Sequence, residues 1–297
     1  MTSIDLVAAP PRHVLERTRC AVGTLLPAAL AELPDETREV VEFGLARQDF
    51  STAALVLLSA EAFGDVDATG AALALEFAHL HEQLHADLMI RGGAWEVFGA
   101  DRVVSAADAL LSLAVARLGK HGVVVLNVAL MSVVDGYVQE IGMDEEDDTD
   151  MAQHLGVAAA KHSSLPAAAC ELGALAAGAS ASQAGHLRQF GDDVGLARKH
   201  VDDVLTLRDD LTRGRRTLPV VAAAKAGMTV DGGRKWCEQQ AELLLARALN
   251  HLRRCGPRAR AAEELSSLAR EVTTARCAPA PAVPAQPAGR STTLPGA

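Results

Sequence analysis

The chain has 297 residues, with 28 Lys and Arg against 38 Asp and Glu, and its net charge is −10. It carries no basic block that could follow a phosphate backbone, so we expect no nucleic-acid partner. Hydrophobic residues make up 49% of the sequence but aromatic residues only 3%. A core built from Ala, Leu and Val suits close helix packing better than sheets, and the composition therefore predicts an all-α protein.

The length fits one helical domain over residues 1–276, followed by a Pro/Ala-rich tail over 277–297 that is too poor in apolar side chains to pack. Five cysteines are scattered without CxxC spacing, which favours a reduced cytoplasm. The N-terminal residues lack the basic-then-apolar order of a signal peptide, and no uncharged apolar run reaches the roughly 18 residues of a membrane span. We therefore expect a cytoplasmic protein without an integral membrane segment.

Apolar residues recur at helical spacing from about residue 11 onward. The clearest predicted helices are 35–47, 52–63, 68–89, 102–118, 123–141, 151–162, 165–177, 181–190, 194–207, 218–226 and 231–251. The acidic segment from Met143 to Asp150 lacks the glycine and terminal glutamate of an EF-hand loop. We interpret it as a solvated turn that caps the following helix.

The richest set of chemical groups lies between Gly195 and Pro219, which reads GLARKHVDDVLTLRDDLTRGRRTLP. Asp202 and Asp203 stand late on an apolar helix, and Arg215 follows after a glycine. Paired carboxylates offer hard oxygen ligands for Mg²⁺, and nearby cations suit phosphate. On spacing alone, an exposed charged helix end explains the pattern equally well.

This stretch resembles the second aspartate-rich region of the trans-isoprenyl diphosphate synthase (polyprenyl synthetase) family, GxAFQxxDDxxD followed by DxxxGKxTLP. The matching residues are Gly195, Ala197, Asp202, Asp203, Asp210, Gly214, Thr217, Leu218 and Pro219. Arg198 and Lys199 replace the Phe-Gln pair, Thr206 replaces the third aspartate, and Arg215 stands in for lysine.

The resemblance extends upstream, over about residues 47–228. Lys161 matches the lysine of the family's KT motif, which binds the allylic diphosphate, while Gly136 and Glu140 match its GQxxDL segment. His79 matches the histidine of the second substrate's site, and Arg91 one arginine of a shortened RRG segment.

Two family motifs are altered. The first aspartate-rich motif becomes Ala86, Asp87 and Ile90, so one carboxylate of three survives. The GGKRxRP segment, whose cations hold isopentenyl diphosphate, aligns with QDFSTA from Gln48 to Ala53 and offers no cation. An uncharged acceptor, or none, is chemically easier to fit than a diphosphate.

The resemblance implies an isoprenoid-synthase helical bundle around a central cavity, acting on a prenyl diphosphate with Mg²⁺. It implies that Asp202, Asp203 and Asp87 hold the metal, and that Lys161, Lys199, Arg215, His79 and Arg91 bind substrate. Asp202, Asp203 and Lys161 would carry the catalysis. A homodimer, or a heterodimer with a related synthase, is also implied.

One competing motif lies within the same segment. His81, Glu82 and His85 form HEQLH, an HExxH pattern whose histidines share one helix face and could bind Zn²⁺ while Glu82 activates water. The pattern is short and no third ligand is evident, so a zinc hydrolase is the remote alternative.

Three functions remain compatible with the altered motifs. The first is a divergent prenyltransferase acting on an allylic prenyl diphosphate in isoprenoid biosynthesis. The second is a terpene-cyclase-like enzyme of the same fold, which needs no second substrate. The third is a non-catalytic subunit that pairs with an active synthase.

Overall fold

The computed structural model describes residues 11–144 and 150–274, and within these ranges all regular secondary structure is helical. The helices are α1 (Pro11–Gly23), α2 (Leu26–Leu30), α3 (Asp35–Leu45), α4 (Ser51–Glu61), α5 (Thr69–Ile90), α6 (Ala94–Phe98), α7 (Ala100–Ala116), α8 (Lys120–Asp144), α9 (Met151–His162), α10 (Ser164–Ala176), α11 (Ala181–Thr212), α12 (Leu218–Lys225), α13 (Val230–Cys255) and α14 (Ala259–Thr274). This confirms the predicted all-α class.

The centre of the bundle is formed by α4, α5 and α10, which pack against one another. In α4, nine of eleven residues are buried, so the helix is apolar on nearly every side and not amphipathic. Around this centre, α11 packs along α10 and α13, while α7 covers α5. The apolar helices therefore lie inside and the charged ones outside, as burial requires.

The segment 181–212 is a single helix, so the prediction of two helices, 181–190 and 194–207, is wrong. The sequence Gly191-Asp192-Asp193 suggested a break. In the fold, a Cβ on Gly191 would lie 2.3 Å from the carbonyl oxygen of Pro166, so the glycine permits close packing on α10. Asp193 accepts a 2.6 Å hydrogen bond from Arg247, and this tertiary contact stabilises a carboxylate in mid-helix.

Asp150 begins α9 with a capping box, since its side chain accepts from the backbone N–H of Gln153 and the Gln153 side chain accepts in return. The predicted cap of this helix is therefore confirmed. Residues 145–149 of the acidic turn and the predicted tail, 277–297, lie outside the described residues.

No element is predicted after residue 251, yet α14 packs against α4, α11 and α13. Its Glu264 is fully buried and accepts hydrogen bonds from Arg17 at 2.8 Å and from Arg260 at 2.9 Å. From its charged neighbours in the sequence, this glutamate would be expected to face solvent. It is buried because its ion pairs with two arginines compensate the charge.

The outer face of α8 carries an apolar stripe. Its exposed members are Val124, Val128, Met131, Val134, Val138 and Ile141. The other face of the helix packs on α9 and α10. By length and composition, α8 is the one helix of the described chain that could cross a membrane, although core helices of soluble proteins meet the same criterion.

Candidate functional site

A cavity of about 270 Å³ opens between α4, α5, α9, α10, α11 and α14. Its apolar lining residues include Leu55, Ala86, Leu165, Pro166, Val194, Leu268 and Val272. Its charged and polar lining residues include His79, Glu82, Gln83, Lys161, Arg198, Lys199 and Asp202. Apolar walls with a few convergent polar groups are the usual composition of a small-molecule site.

Two glycines set the spacing of the helices around this cavity. A Cβ on Gly136 of α8 would lie 2.7 Å from Lys161 Cγ, and a Cβ on Gly195 of α11 would lie 2.5 Å from the His162 carbonyl oxygen. The first approach packs α8 against the end of α9, which carries Lys161. The second brings the same end of α9 against the α11 segment that carries Lys199.

Lys161 lies above a tyrosine and pairs with a carboxylate. Its Nζ donates to Glu140 Oε2 at 2.6 Å and lies 4.1 Å from the centroid of the Tyr137 ring. The Tyr137 hydroxyl in turn donates to Glu82 Oε1 at 3.0 Å. The four side chains form a continuous polar chain from the protein surface to the cavity wall.

Lys199 and Asp203 form a second pair. Lys199 Nζ donates to Asp203 Oδ1 at 2.7 Å, and the other carboxylate oxygen accepts from the Leu218 backbone N–H at 3.1 Å. The Asp203 side chain is only 4% exposed, whereas that of Asp202 is 56% exposed. Asp203 thus stabilises the first turn of α12, and Asp202 faces the cavity.

Arg198 crosses the cavity toward α4. Its guanidinium donates to Ser51 Oγ at 2.8 Å and to Asp49 Oδ2 at 3.0 Å, and its Nε lies 3.7 Å from Asp202 Oδ2. Arg198 thereby brings a cation to the Gln48–Ala53 segment, which has none of its own. The prediction that this region offers no cation holds for the segment but not for the folded site.

His79 belongs to an uncharged hydrogen-bonded row. Gln48 Nε2 donates to Gln83 Oε1 at 2.6 Å, and Gln83 Nε2 lies 2.9 Å from His79 Nε2. Burial, together with the charge of Arg198, lowers the pKa of His79 to about 4. His79 is therefore neutral at physiological pH and can offer a hydrogen bond but no charge.

The structure brings four of the predicted site residues to the cavity wall: Asp202, Lys161, Lys199 and His79. Asp203 lies directly behind this wall. Asp87 accepts from the Ala94 backbone N–H at 2.7 Å and lies 3.5 Å from Arg47, so a metal role would require these contacts to break.

The remaining two predicted residues also lie outside the cavity lining. Arg215 pairs with Asp210 at 3.2 Å, and Arg91 ends α5 in a left-handed conformation with φ of 53°.

Within residues 11–144 and 150–274, no three His, Cys, Asp or Glu side chains come together as a metal ion would require. This applies also to the HEQLH segment. His81 and His85 lie with ring centroids 4.6 Å apart, and Glu82 bonds to Tyr137. Because no third ligand joins the two histidines in the described residues, the structure gives no support to a zinc hydrolase.

Two charged residues that line the cavity were not among the site residues predicted from the sequence. Arg198 stood only as a departure from the family pattern, and Glu82 only as part of the HExxH motif. A usable signal existed for each. Glu82 lies three residues after His79 on α5, and Arg198 lies four before Asp202 on α11, so each shares a helix face with a predicted site residue.

The chain is similar in sequence to a known family of proteins. The polyprenyl synthetase family model matches residues 53–232. The geranylgeranyl diphosphate synthase of Mycobacterium tuberculosis is 30% identical over 252 residues, covering 71% of this chain and 72% of the relative. That of Methanosarcina mazei is 28% identical, covering 78% of each chain.

Solved structures show the same fold. A polyprenyl synthetase from Streptomyces coelicolor superposes with a TM-score of 0.79 at 24% identity, covering 88% of this chain and 99% of the other. A geranylgeranyl pyrophosphate synthetase from Geoglobus acetivorans gives a TM-score of 0.80 at 20% identity, covering 88% and 98%.

The fold is thus that of the helical isoprenoid synthases. The chain belongs to the polyprenyl synthetase family and is a prenyltransferase of isoprenoid biosynthesis. The family implies a divalent metal ion as cofactor.

Proposed function

We propose that this chain transfers the prenyl group of an allylic prenyl diphosphate, with Mg²⁺ as the divalent ion. The observation that carries the proposal is one cavity that presents Lys161, Lys199, Arg198 and Asp202 together with apolar walls. The cations suit the diphosphate, and the apolar walls suit the prenyl chain and shield a carbocation from water.

The diphosphate would bind among cations that already have carboxylate partners. Lys161 pairs with Glu140 and Lys199 with Asp203. Of these partners Glu140 is 44% exposed, so its pair with Lys161 is screened and easily exchanged for a phosphate oxygen. We therefore propose Lys161 as the principal diphosphate-binding cation, with Lys199 held in place by Asp203.

The carboxylates around the cavity are suited to hold one Mg²⁺ together with the substrate phosphates. They do not form a complete metal site by themselves. Asp202 and Glu82 are the two acidic residues that line the cavity, and Glu82 accepts a hydrogen bond from Tyr137. Both Asp203 oxygens have partners and Asp87 lies elsewhere, so Asp202 is the carboxylate best placed to bind the metal ion. Mg²⁺ commonly binds through one or two carboxylates plus substrate phosphates and water. When bound there, it would supply charge neutralisation to the leaving diphosphate.

The cavity volume favours a short prenyl chain. At about 270 Å³ the cavity lies near the lower end of small-ligand sites, which span roughly 300–1,000 Å³. Leu268 and Val272 of α14 line it together with Leu55 of α4. We propose that these side chains limit the length of the substrate.

The decisive experiment measures diphosphate release by the purified protein with Mg²⁺ and geranyl, farnesyl or geranylgeranyl diphosphate, each with and without isopentenyl diphosphate. We expect release with the shorter substrates when isopentenyl diphosphate is present, a longer prenyl product under the same condition, and loss of both with EDTA. Release from one substrate alone would favour the cyclase-like alternative. No release under any condition would contradict transfer to isopentenyl diphosphate and leave two alternatives, a non-catalytic subunit or a transferase with a different acceptor. A pull-down for a partner synthase would distinguish them.

We further propose that two copies of the chain associate through the apolar stripe of α8. The stripe spans 18 residues, or about 27 Å of helix. A two-fold interface would let it cover itself. Val138 is 62% exposed at this stripe, and Leu243 of α13 is 60% exposed outside it.

Val138→Glu is expected to convert the dimer into a monomer, because it would bury a charge in an apolar contact. Sedimentation velocity would measure the mass. Leu243→Glu is the matched control and should leave the dimer intact. A monomeric wild type, or an unchanged dimer in Val138→Glu, would contradict this interface, and association only with a related synthase would indicate the heterodimer.

A cytoplasmic location is also proposed. It is supported by the four free cysteines of the described chain, Cys20, Cys170, Cys237 and Cys255. Cell fractionation followed by immunodetection would test it, and recovery in a secreted fraction would contradict it.

A further inference from the structure

Glu82 is a cavity group that the proposed transfer has not used. It lies on α5 in the cavity wall, and it is only 9% exposed. Isolated carboxylates are rarely buried in apolar surroundings unless a partner compensates them. Here the Tyr137 hydroxyl donates to Oε1 at 3.0 Å.

The position of Glu82 relates it to the diphosphate end of the cavity. Tyr137 connects the two groups, because its hydroxyl bonds to Glu82 while Lys161 Nζ lies 4.1 Å from its ring centroid. One tyrosine side chain therefore separates Glu82 from the proposed diphosphate-binding lysine. The carbon that becomes cationic on ionisation is the one bonded to the diphosphate oxygen, so positive charge develops on the same side as Glu82.

The other candidate proton acceptors of the cavity wall are less suitable. His79 has its Nε2 within 2.9 Å of Gln83 Nε2, and Asp202 is assigned to the metal. His162 has a pKa well below the ordinary value because it is buried and lies near Lys199 and Lys161. A neutral imidazole of such low basicity is a weak proton acceptor.

We propose that Glu82 is the anionic residue that faces the carbocation and removes its proton. The inference rests on the proposed function, since it requires an allylic diphosphate to ionise in this cavity. The allylic C–O bond breaks and its electron pair leaves with the diphosphate. The Glu82 carboxylate then takes a proton from a carbon next to the cationic centre, and the C–H electron pair becomes the new C=C bond. The step applies equally to the cation formed after addition to a second substrate.

The surroundings of Glu82 shift the pKa of its carboxyl group in both directions. Burial raises the pKa of Glu82, which makes the carboxylate a stronger base, while the Tyr137 hydrogen bond and the charges of Lys161 and Lys199 lower it. The net result is a raised pKa, and a carboxylate of raised pKa is a better proton acceptor than an ordinary one.

The test compares the affinities of two analogues in the presence of Mg²⁺ by titration calorimetry. One is the thiolo analogue of geranyl diphosphate, which is neutral at the prenyl chain. The other is its aza analogue, whose ammonium group mimics the cation. Wild-type protein should prefer the aza analogue, and Glu82→Gln should reduce that preference about tenfold or more, because the mutation removes a negative charge facing the ammonium group. Binding of the thiolo analogue should be unchanged.

Two further variants make the result specific. Tyr137→Phe removes the hydrogen bond but keeps the carboxylate, and it should retain the preference for the aza analogue. Asp192→Asn removes an exposed carboxylate of α11 outside the cavity and should have no effect. With natural substrates, Glu82→Gln should divert product toward the prenyl alcohol formed by water capture.

Each outcome decides the proposal. A wild-type preference that survives in Glu82→Gln would overturn it and leave the departing diphosphate as the proton acceptor. So would equal affinity of wild-type protein for both analogues, which also decides the matter if the variant does not fold. Failure of wild-type protein to bind either analogue would instead refute the proposed function itself.

Discussion

Asp202→Asn is expected to lower kcat by about 100-fold or more while leaving the thermal unfolding midpoint within about a degree of wild type. The side chain is 56% exposed and faces the cavity, and its one close contact is Arg198 Nε at 3.7 Å. Few folding contacts are therefore lost. What is lost is the negative charge that would hold Mg²⁺ against the substrate diphosphate.

The measurement is steady-state diphosphate release as a function of Mg²⁺ concentration, with circular dichroism to verify helix content. Asp209→Asn serves as the matched control, since Asp209 is an exposed carboxylate of the same helix outside the cavity lining. Equal loss in both variants would point to a general effect of charge. Wild-type turnover in Asp202→Asn would remove Asp202 from the metal site.

Asp203→Ala is expected to destabilise the fold by about 3 kcal/mol, because it removes a charge-assisted hydrogen bond and a helix-capping bond together. The carboxylate is 4% exposed, bonds to Lys199 Nζ at 2.7 Å, and accepts from the Leu218 N–H at 3.1 Å. A loss of this size would lower the unfolding midpoint by roughly 5–10 °C in a domain of this length.

Urea and thermal denaturation of Asp202→Asn and Asp203→Ala would separate the roles of the two aspartates. Asp203→Asn keeps an oxygen for the Leu218 N–H but loses the pair with Lys199, so it should lie between wild type and Asp203→Ala. If Asp203→Ala is as stable as wild type and only metal-dependent turnover falls, then Asp203 is a metal ligand and its structural role is incorrect.

The different roles of Asp202 and Asp203 could not be predicted from the sequence. The two residues match the same motif and are adjacent in the same helix, so residue type and spacing assign them the same role. Their roles separate because α12 returns against α11 and places the Leu218 N–H beside Asp203. Which carboxylate remains available to a metal is thus decided by a contact 15 residues away in the chain.

A contact between segments that are distant in sequence also changes the interpretation of the altered acceptor region, Gln48 to Ala53. In sequence, Gln48 to Ala53 is a segment that has lost its cations, and Arg198 is a substitution in a different motif. In the fold the two meet, since Arg198 bonds to Asp49 and Ser51. A pairing across 149 residues leaves no local trace in the sequence, so it could not be predicted without alignment.

The sequence by itself determined the all-helical class, the family and four of the cavity-wall residues, Asp202, Lys161, Lys199 and His79. The class depends on composition and helical periodicity, which are local properties of the chain. The family and the four residues depend on the resemblance of its motifs to those of the polyprenyl synthetases. The tertiary structure alone decided that α11 runs unbroken, that Asp87 supports α6, and that Glu82 faces the cavity. The orientation of such a side chain depends on which distant helix packs against it, and that is fixed only when the core forms.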